Sequence, residues 1–358
     1  MAEDLGRLYE MEQKFPNCDY WNDSCAADDL EYAAARGVRG ATTNPVIVKN
    51  VLKKEMPLWK DTIVSLIEQM PEATEEDVAW ALMKRIAAER SKVLLPVFQQ
   101  YKGKKGRISI QVNARNYRSA AKMTEQALEF AALAPNMQVK IPCSAAGVAA
   151  IEEATYRGVS INATVSFTVA QTLAVAEAVE RGLKRREAEG LPTDEMSPVC
   201  TLMFGRVEDY VKGYVNDVGL LVDPNSLNWA AVAVFKHAYK LYKERGYRTR
   251  LLASGFRHAM HWTQIIGADC AMTINHGWQA RINDSHFPVE KTIDAPVPQA
   301  ALAELKTIPE FVKAYDERGL TPEGFEHYGV FRHTLASFLE GYDELLGIIR
   351  SFMLPAGY

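Results

Sequence analysis

The chain has 358 residues, 48% of them hydrophobic and 24% charged, with a formal net charge of −4 at pH 7, an ordinary globular composition. With no basic stripe, no polybasic tail and no uncharged apolar run of spanning length, it argues against nucleic acid and against a membrane as partners. The five cysteines (Cys18, Cys25, Cys143, Cys200 and Cys270) are odd in number and form no C-x-x-C pair, which argues against a zinc site or disulfide framework and suits reduced thiols in a cytoplasmic protein.

The opening Met1-Ala2-Glu3-Asp4 is acidic and carries no signal-peptide pattern. Eight strand-like runs follow, at residues 17–22, 38–42, 107–113, 137–142, 159–164, 198–204, 249–253 and 270–274. Helical patterns come after most of them, as at 116–133, 145–156, 168–189 and 258–266. Repeated β-then-α units imply parallel strands joined by right-handed crossovers, and eight of them suit an α/β fold closed as a (β/α)8 TIM barrel. A doubly wound open sheet is the alternative, but no G-x-G-x-x-G or P-loop sequence stands at a strand end.

Between the second and third strands, residues 57–70 and 74–101 read as an inserted helical region. After the last strand, 284–298 holds three prolines and reads as a loop, while 300–305 and 309–318 read as helices. Residues 329–353 make an amphipathic helix with Phe331, Leu335, Phe338, Leu339, Tyr342, Leu345 and Leu346 on one stripe, expected to pack on the barrel and cap a rim. The expectation is one barrel domain over 1–358, with 284–358 as its C-terminal loop and helical extension.

The segment Met137-Gln138-Val139-Lys140-Ile141-Pro142 places a lysine inside a run otherwise suited to burial. A desolvated ammonium has its pKa pushed down, which frees the lone pair to attack a carbonyl carbon; the alternative is a rim lysine whose ammonium reaches water. Barrel strands turn alternate residues inward and gather functional groups at their C-terminal ends. Ser109, Gln111 and Asn113 share one face of the third strand, Gln138, Lys140 and Pro142 one face of the fourth, and Asn162 and Thr164 one face of the fifth. Inward amides are also common as satisfied structural groups, and threonine favours strands in any case.

Asp23 ends the first strand on the same face as Asp19, where a carboxylate could take a hydroxyl proton; a helix cap by Asp23 or Ser24 is the rival reading. Thr42-Thr43-Asn44-Pro45 sets an amide at the second strand end, with proline opening a helix. Arg206 and Arg257 follow the sixth and seventh strands, Arg257 close to Ser254. Guanidinium groups there suit phosphate oxygens, or make ordinary surface salt bridges. The histidines show no H-E-x-x-H spacing; His258 and His261, three apart, read as surface or rim groups, which leaves a metal-dependent enzyme the weaker option.

Five segments, in chain order, resemble the transaldolase family: Gly40-Ala41-Thr42-Thr43-Asn44-Pro45, Val139-Lys140-Ile141-Pro142, Gly158-Val159-Ser160-Ile161-Asn162-Ala163-Thr164-Val165-Ser166-Phe167-Thr168-Val169-Ala170-Gln171, Phe204-Gly205-Arg206 and Ala253-Ser254-Gly255-Phe256-Arg257. The resemblance covers most of the chain, the final helix included. It implies that Lys140 forms an imine with a ketose carbonyl and that Asp23 takes the proton from the hydroxyl at the bond being cleaved. Asn44 and Asn162 would hold the dihydroxyacetone part, Thr164 a proton-relaying water, and Arg206 and Arg257 the phosphate, with Thr201 and Ser254 as further substrate contacts. Such chemistry needs no metal or organic cofactor. The implied partners are sugar phosphate and aldehyde substrates, with no nucleic acid and no membrane, in the carbohydrate metabolism of the cytoplasm around the pentose phosphate pathway. The added helices offer surface for a homo-oligomer.

Three positions depart from the family pattern. Gln111 stands where transaldolases usually carry a glutamate that polarises the water; an amide orients water but takes no proton. A glutamine there resembles the fructose-6-phosphate aldolase branch. Met203 replaces that branch's tyrosine and the transaldolases' phenylalanine, and Gly255 is an extra residue in the Ala-Ser-Phe-Arg motif. The expected activity is transfer of a dihydroxyacetone unit from a ketose phosphate to an aldehyde. The close rivals are an aldolase releasing free dihydroxyacetone and a transaldolase for a modified, for example sulfonated, ketose. A non-catalytic sugar-phosphate-binding barrel is the rival from another class.

Overall fold

The computed structural model describes residues 5–354; the acidic opening at residues 1–4 lies outside the described residues. In chain order the elements are α1 (Arg7–Lys14), β1 (Cys18–Asn22), α2 (Ala27–Ala34), β2 (Gly40–Thr42), α3 (Pro45–Gln69), α4 (Glu75–Gln100), β3 (Arg107–Gln111), α5 (Ala120–Ala131), β4 (Met137–Pro142), α6 (Ala145–Tyr156), β5 (Ile161–Ser166) and α7 (Val169–Ala188). There follow β6 (Val199–Leu202), α8 (Phe204–Val218), α9 (Pro224–Leu227), α10 (Ala230–Arg245), β7 (Arg250–Ser254), α11 (Met260–Thr263), β8 (Cys270–Ile274), α12 (His276–Asn283), α13 (Gln299–Leu305), α14 (Pro309–Tyr315) and α15 (Gly329–Met353). Each strand pairs in parallel with the next, and β8 closes on β1 from Cys18↔Cys270 to Asn22↔Ile274. The expected eight-stranded barrel is the observed fold.

The departures from the sequence reading have local causes. The sixth strand stops at Leu202, because Phe204 already opens α8. The helix expected from residue 57 starts at Pro45, where Asn44 caps it; Pro57 lies two residues past a kink at Glu55 (φ −107°, ψ 19°) and, lacking an N–H, is accommodated there. The helix expected over 258–266 is a single turn, Met260–Thr263, and the chain reverses at Gly267, whose φ of +83° suits glycine. The 284–298 segment is a loop as expected.

The strands are buried on both faces, as in a barrel wrapped by helices. Inside, Trp21, Val199, Leu252 and Ala271 pack together. Gly40 permits this, since a Cβ there would lie 2.5 Å from the Trp21 indole. Asp19 shares the inward alternation of Asp23 but sits at the opposite, N-terminal end, 2.6 Å from Lys105 Nζ and 2.8 Å from Arg250 Nη1. The barrel thus has an ionic floor, an apolar waist and a polar mouth.

The C-terminal helix α15 packs on α3, α4 and α8. Its approach to α3 is close: a Cβ on Gly341 would lie 2.6 Å from Val46 Cγ2. All five cysteines are free and buried, and no helix among the described residues is long and apolar enough to cross a membrane.

Candidate functional site

Lys140 lies next to Gln111 of β3 and Asn162 of β5 in the strand register. It is 4% exposed, and its Nζ has no hydrogen-bond partner among the described residues. Burial lowers its pKa from the usual 10.5 to about 8, while the nearby Asp23 charge pulls the other way. The rim-lysine alternative is overturned: this ammonium is enclosed by the barrel.

Asp23 follows β1, and burial raises its pKa, opposed first by the Lys140 charge. Thr42 Oγ1 donates to Asp23 Oδ1 at 2.6 Å, and Thr273 Oγ1, 2.6 Å from Thr42 Oγ1, is a further hydrogen-bond partner of the carboxyl group. Asp23 caps no helix. Ser24 Oγ instead accepts the N–H of Ala26, and Glu55 accepts that of Ala27 at the start of α2. Thr273, the polar residue one short of the C-terminal end of β8, is the member of this group that the sequence reading missed; its inward alternation was the available signal.

Gln111 is 1% exposed, and neither its Oε1 nor its Nε2 has a partner among the described residues. A buried amide with both ends unmet is rare and implies a ligand or water to meet them. Thr164 is fully buried, and among the described residues its hydroxyl has only the Met203 sulfur, 3.9 Å away. Asn162 differs: Nδ2 donates to Ser109 Oγ at 3.0 Å, and Oδ1 accepts from Thr201 Oγ1 at 2.6 Å. Thr201 therefore orients Asn162, whose amide keeps one N–H and one lone pair for a ligand. Asn44 uses Oδ1 to cap Ile47 N–H at 2.9 Å, while its Nδ2 has no partner among the described residues. Asn113, past the end of β3, binds Glu76 and Arg115 N–H and does not join the group.

The end of β5 is distorted. Its pairing with β6 shifts register between Ala163 and Ser166, and Val165 has φ +54°, a strained conformation for a β-branched residue. Gln171 holds the bulge by accepting Phe167 N–H at 2.9 Å and donating to the carbonyls of Val165 and Cys143, both at 3.2 Å.

At the rim, Arg206 Nη1 reaches Thr334 and Ser337 of α15, which therefore caps this side of the mouth. Its pKa is lowered by burial and then by the charge of Arg257, and both arginines line the same groove. Arg257 is exposed and paired with Asp209 at 2.8 Å, an ordinary surface bridge in the absence of a ligand. Ser254, 5% exposed, ends β7 with no side-chain partner among the described residues. Gly255 takes φ +85°, which accommodates the extra residue. A groove of about 510 Å³ opens here, lined by Arg206, Asp209, Tyr210, Arg257, His333 and Thr334 among others. The expectation of His258 and His261 as surface or rim groups fails for His261. It is fully buried against Glu208, because the short α11 turn folds inward.

A family model described as Transaldolase/Fructose-6-phosphate aldolase matches residues 20–317. A protein named Transaldolase from Thiobacillus denitrificans is 32% identical over 232 residues, 63% of this chain and 64% of its own length. Transaldolase 2 from Streptomyces coelicolor is 27% identical over 218 residues, 58% of this chain and 55% of its own. A Transaldolase from Acidothermus cellulolyticus is 29% identical over 243 residues, covering 63% and 62%. The chain thus spans between 55% and 64% of the length of these curated relatives.

Proposed function

The chain belongs to the transaldolase/fructose-6-phosphate aldolase family, and on that premise we propose that it transfers a dihydroxyacetone unit from a ketose phosphate to an aldehyde through an imine on Lys140. The observation that carries the reading is the enclosed Lys140 amine, with no hydrogen-bond partner among the described residues, its pKa brought down to about 8 by burial.

The neutral amine adds to the ketose C2 carbonyl, and loss of water gives an iminium. Asp23 takes the proton of the C4 hydroxyl, the C3–C4 bond breaks into the iminium, and an aldehyde leaves. The enamine kept on Lys140 attacks the acceptor aldehyde, whose oxygen receives the proton from Asp23. Water then hydrolyses the imine and frees the new ketose. Gln111 and Thr164 hold and orient that water; Asn44 and Asn162, the latter steadied by Thr201, hold the three-carbon unit. Arg206, Arg257 and Ser254 take the phosphate. Every proton in this sequence is moved by side chains or water, so the scheme draws on no cofactor.

A second reading rests on Gln111. An amide cannot take a proton from water, as in the fructose-6-phosphate aldolase branch, where the enamine is protonated and dihydroxyacetone leaves. The discriminating assay supplies fructose 6-phosphate and measures free dihydroxyacetone with and without an acceptor aldehyde. Transfer requires the acceptor for turnover beyond one equivalent per active site; sustained dihydroxyacetone release without it rejects the transferase in favour of the lyase.

A further inference from the structure

Beside the two arginines lies a buried polar cluster with no part in the chemistry above. Glu208, two residues beyond Arg206 on α8, is 1% exposed. Its Oε1 lies 2.8 Å from Lys212 Nζ and 3.0 Å from His258 Nε2, and its Oε2 lies 2.9 Å from His261 Nε2. The other ring nitrogen of His261, Nδ1, accepts the main-chain N–H of Arg257 at 3.2 Å. That bond sets the tautomer: Nδ1 offers its lone pair and Nε2 carries the proton, which it donates to Glu208.

The Glu208, His258 and His261 ligand atoms lie within 4.8 Å of one another, close enough to suggest a metal centre. The hydrogen bonding argues against it. A metal on His261 Nε2 needs the proton on Nδ1, where the Arg257 N–H already points, and the Lys212 ammonium takes one edge of the carboxylate.

The cluster instead joins the two segments that bear the arginines. Their backbones touch at one point: a Cβ on Gly205 would lie 1.5 Å from the Gly255 carbonyl oxygen. The chain from Glu208 through His261 to the Arg257 N–H is a second tie, and the Asp209–Arg257 pair is a third, at the surface. Two like charges held side by side repel, and fixing their main chains beforehand reduces the ordering that binding an anion would otherwise require.

Resting on the reading that Arg206 and Arg257 hold the substrate phosphate, we propose that Glu208 and His261 are positioning residues. Glu208 holds His261 in the tautomer that pins the Arg257 main chain to α8, so that both guanidinium groups meet the anion as a pre-set pair.

The test uses three variants. His261→Phe keeps an aromatic ring against Phe204, now 4.5 Å away, but loses both hydrogen bonds. Glu208→Leu removes the acceptor for His261, and Glu208→Gln retains one. Inorganic phosphate binding is measured by calorimetry with no ketose present; KM and kcat are measured for fructose 6-phosphate and for free fructose. His261→Phe and Glu208→Leu are expected to bind phosphate roughly tenfold more weakly and to raise KM for fructose 6-phosphate by a similar factor. In both, kcat and the KM for free fructose should stay within about twofold of the parent, and Glu208→Gln should stay near the parent throughout. Unchanged phosphate affinity in His261→Phe, or equal losses on both ketoses, overturns the proposal. So does a parent protein whose phosphate affinity collapses on chelation by EDTA, since the cluster would then be a metal site. A parent that binds phosphate but forms no imine sinks the catalytic reading alone, and the calorimetric arm still decides the positioning role.

Discussion

Lys140 is costly where it stands. Its ordinary pKa of 10.5 falls to about 8, so burial disfavours the ammonium and favours the neutral amine that the proposed imine requires. The neutral fraction is then about a tenth at pH 7, against well under a thousandth for an exposed lysine. The rate of imine trapping at limiting ketose should therefore rise with pH and reach its midpoint near 8. Asp23 raises the Lys140 pKa, so Asp23→Asn should move that midpoint downward. A midpoint near 10.5, or an upward move in Asp23→Asn, contradicts the assignment. At this scale the sequence was informative where alternation sufficed: Lys140, Gln111, Asn162 and Thr164 all face inward as the two-residue period requires. It gave no sign of Glu208 and misread His261 as a surface or rim group, because a hydrogen bond between residues 53 apart in sequence leaves no local pattern.

The β5 strand shows how an element's end is shaped for a site. Strand existence was legible from apolar runs, but its true span, Ile161–Ser166, was not, because the bulge at Val165 depends on Gln171 from the following helix. Helices α1 and α2, eight residues each, left too short a period to read. Gln171→Ala leaves one buried N–H and two buried carbonyls unmet. The expected loss is on the order of 2–4 kcal/mol in denaturant unfolding. Trapping should also slow, because Thr164 adjoins the bulge. A loss below about 0.5 kcal/mol would show that the bulge holds without this side chain.

Across the whole molecule, the proposed site groups and a buried ionic network lie at opposite ends of one barrel. The mouth carries Asp23, Lys140 and the arginines, while the floor carries Asp19 between Lys105 and Arg250. Division of this kind is general in the fold, where the C-terminal face holds function and the N-terminal face stability. Asp19→Ala removes the carboxylate between two partly buried cations, leaving Lys105 without an ion partner among the described residues and Arg250 with Asp269 alone, and should cost about 3 kcal/mol of unfolding free energy. Trapping by the folded protein should be unchanged. A stable variant with impaired trapping would break that separation of roles. The closed eight-stranded order was legible from the count of β-then-α units, whereas the charge network under the barrel was not, since it joins β1, β7 and the chain before β3.

The most direct measurement is borohydride reduction in the presence of fructose 6-phosphate, followed by peptide mass analysis. A covalent ketose-derived adduct on Lys140, absent from Lys140→Met, is the predicted result. No adduct, or one on another lysine with Lys140 unmodified, contradicts the account.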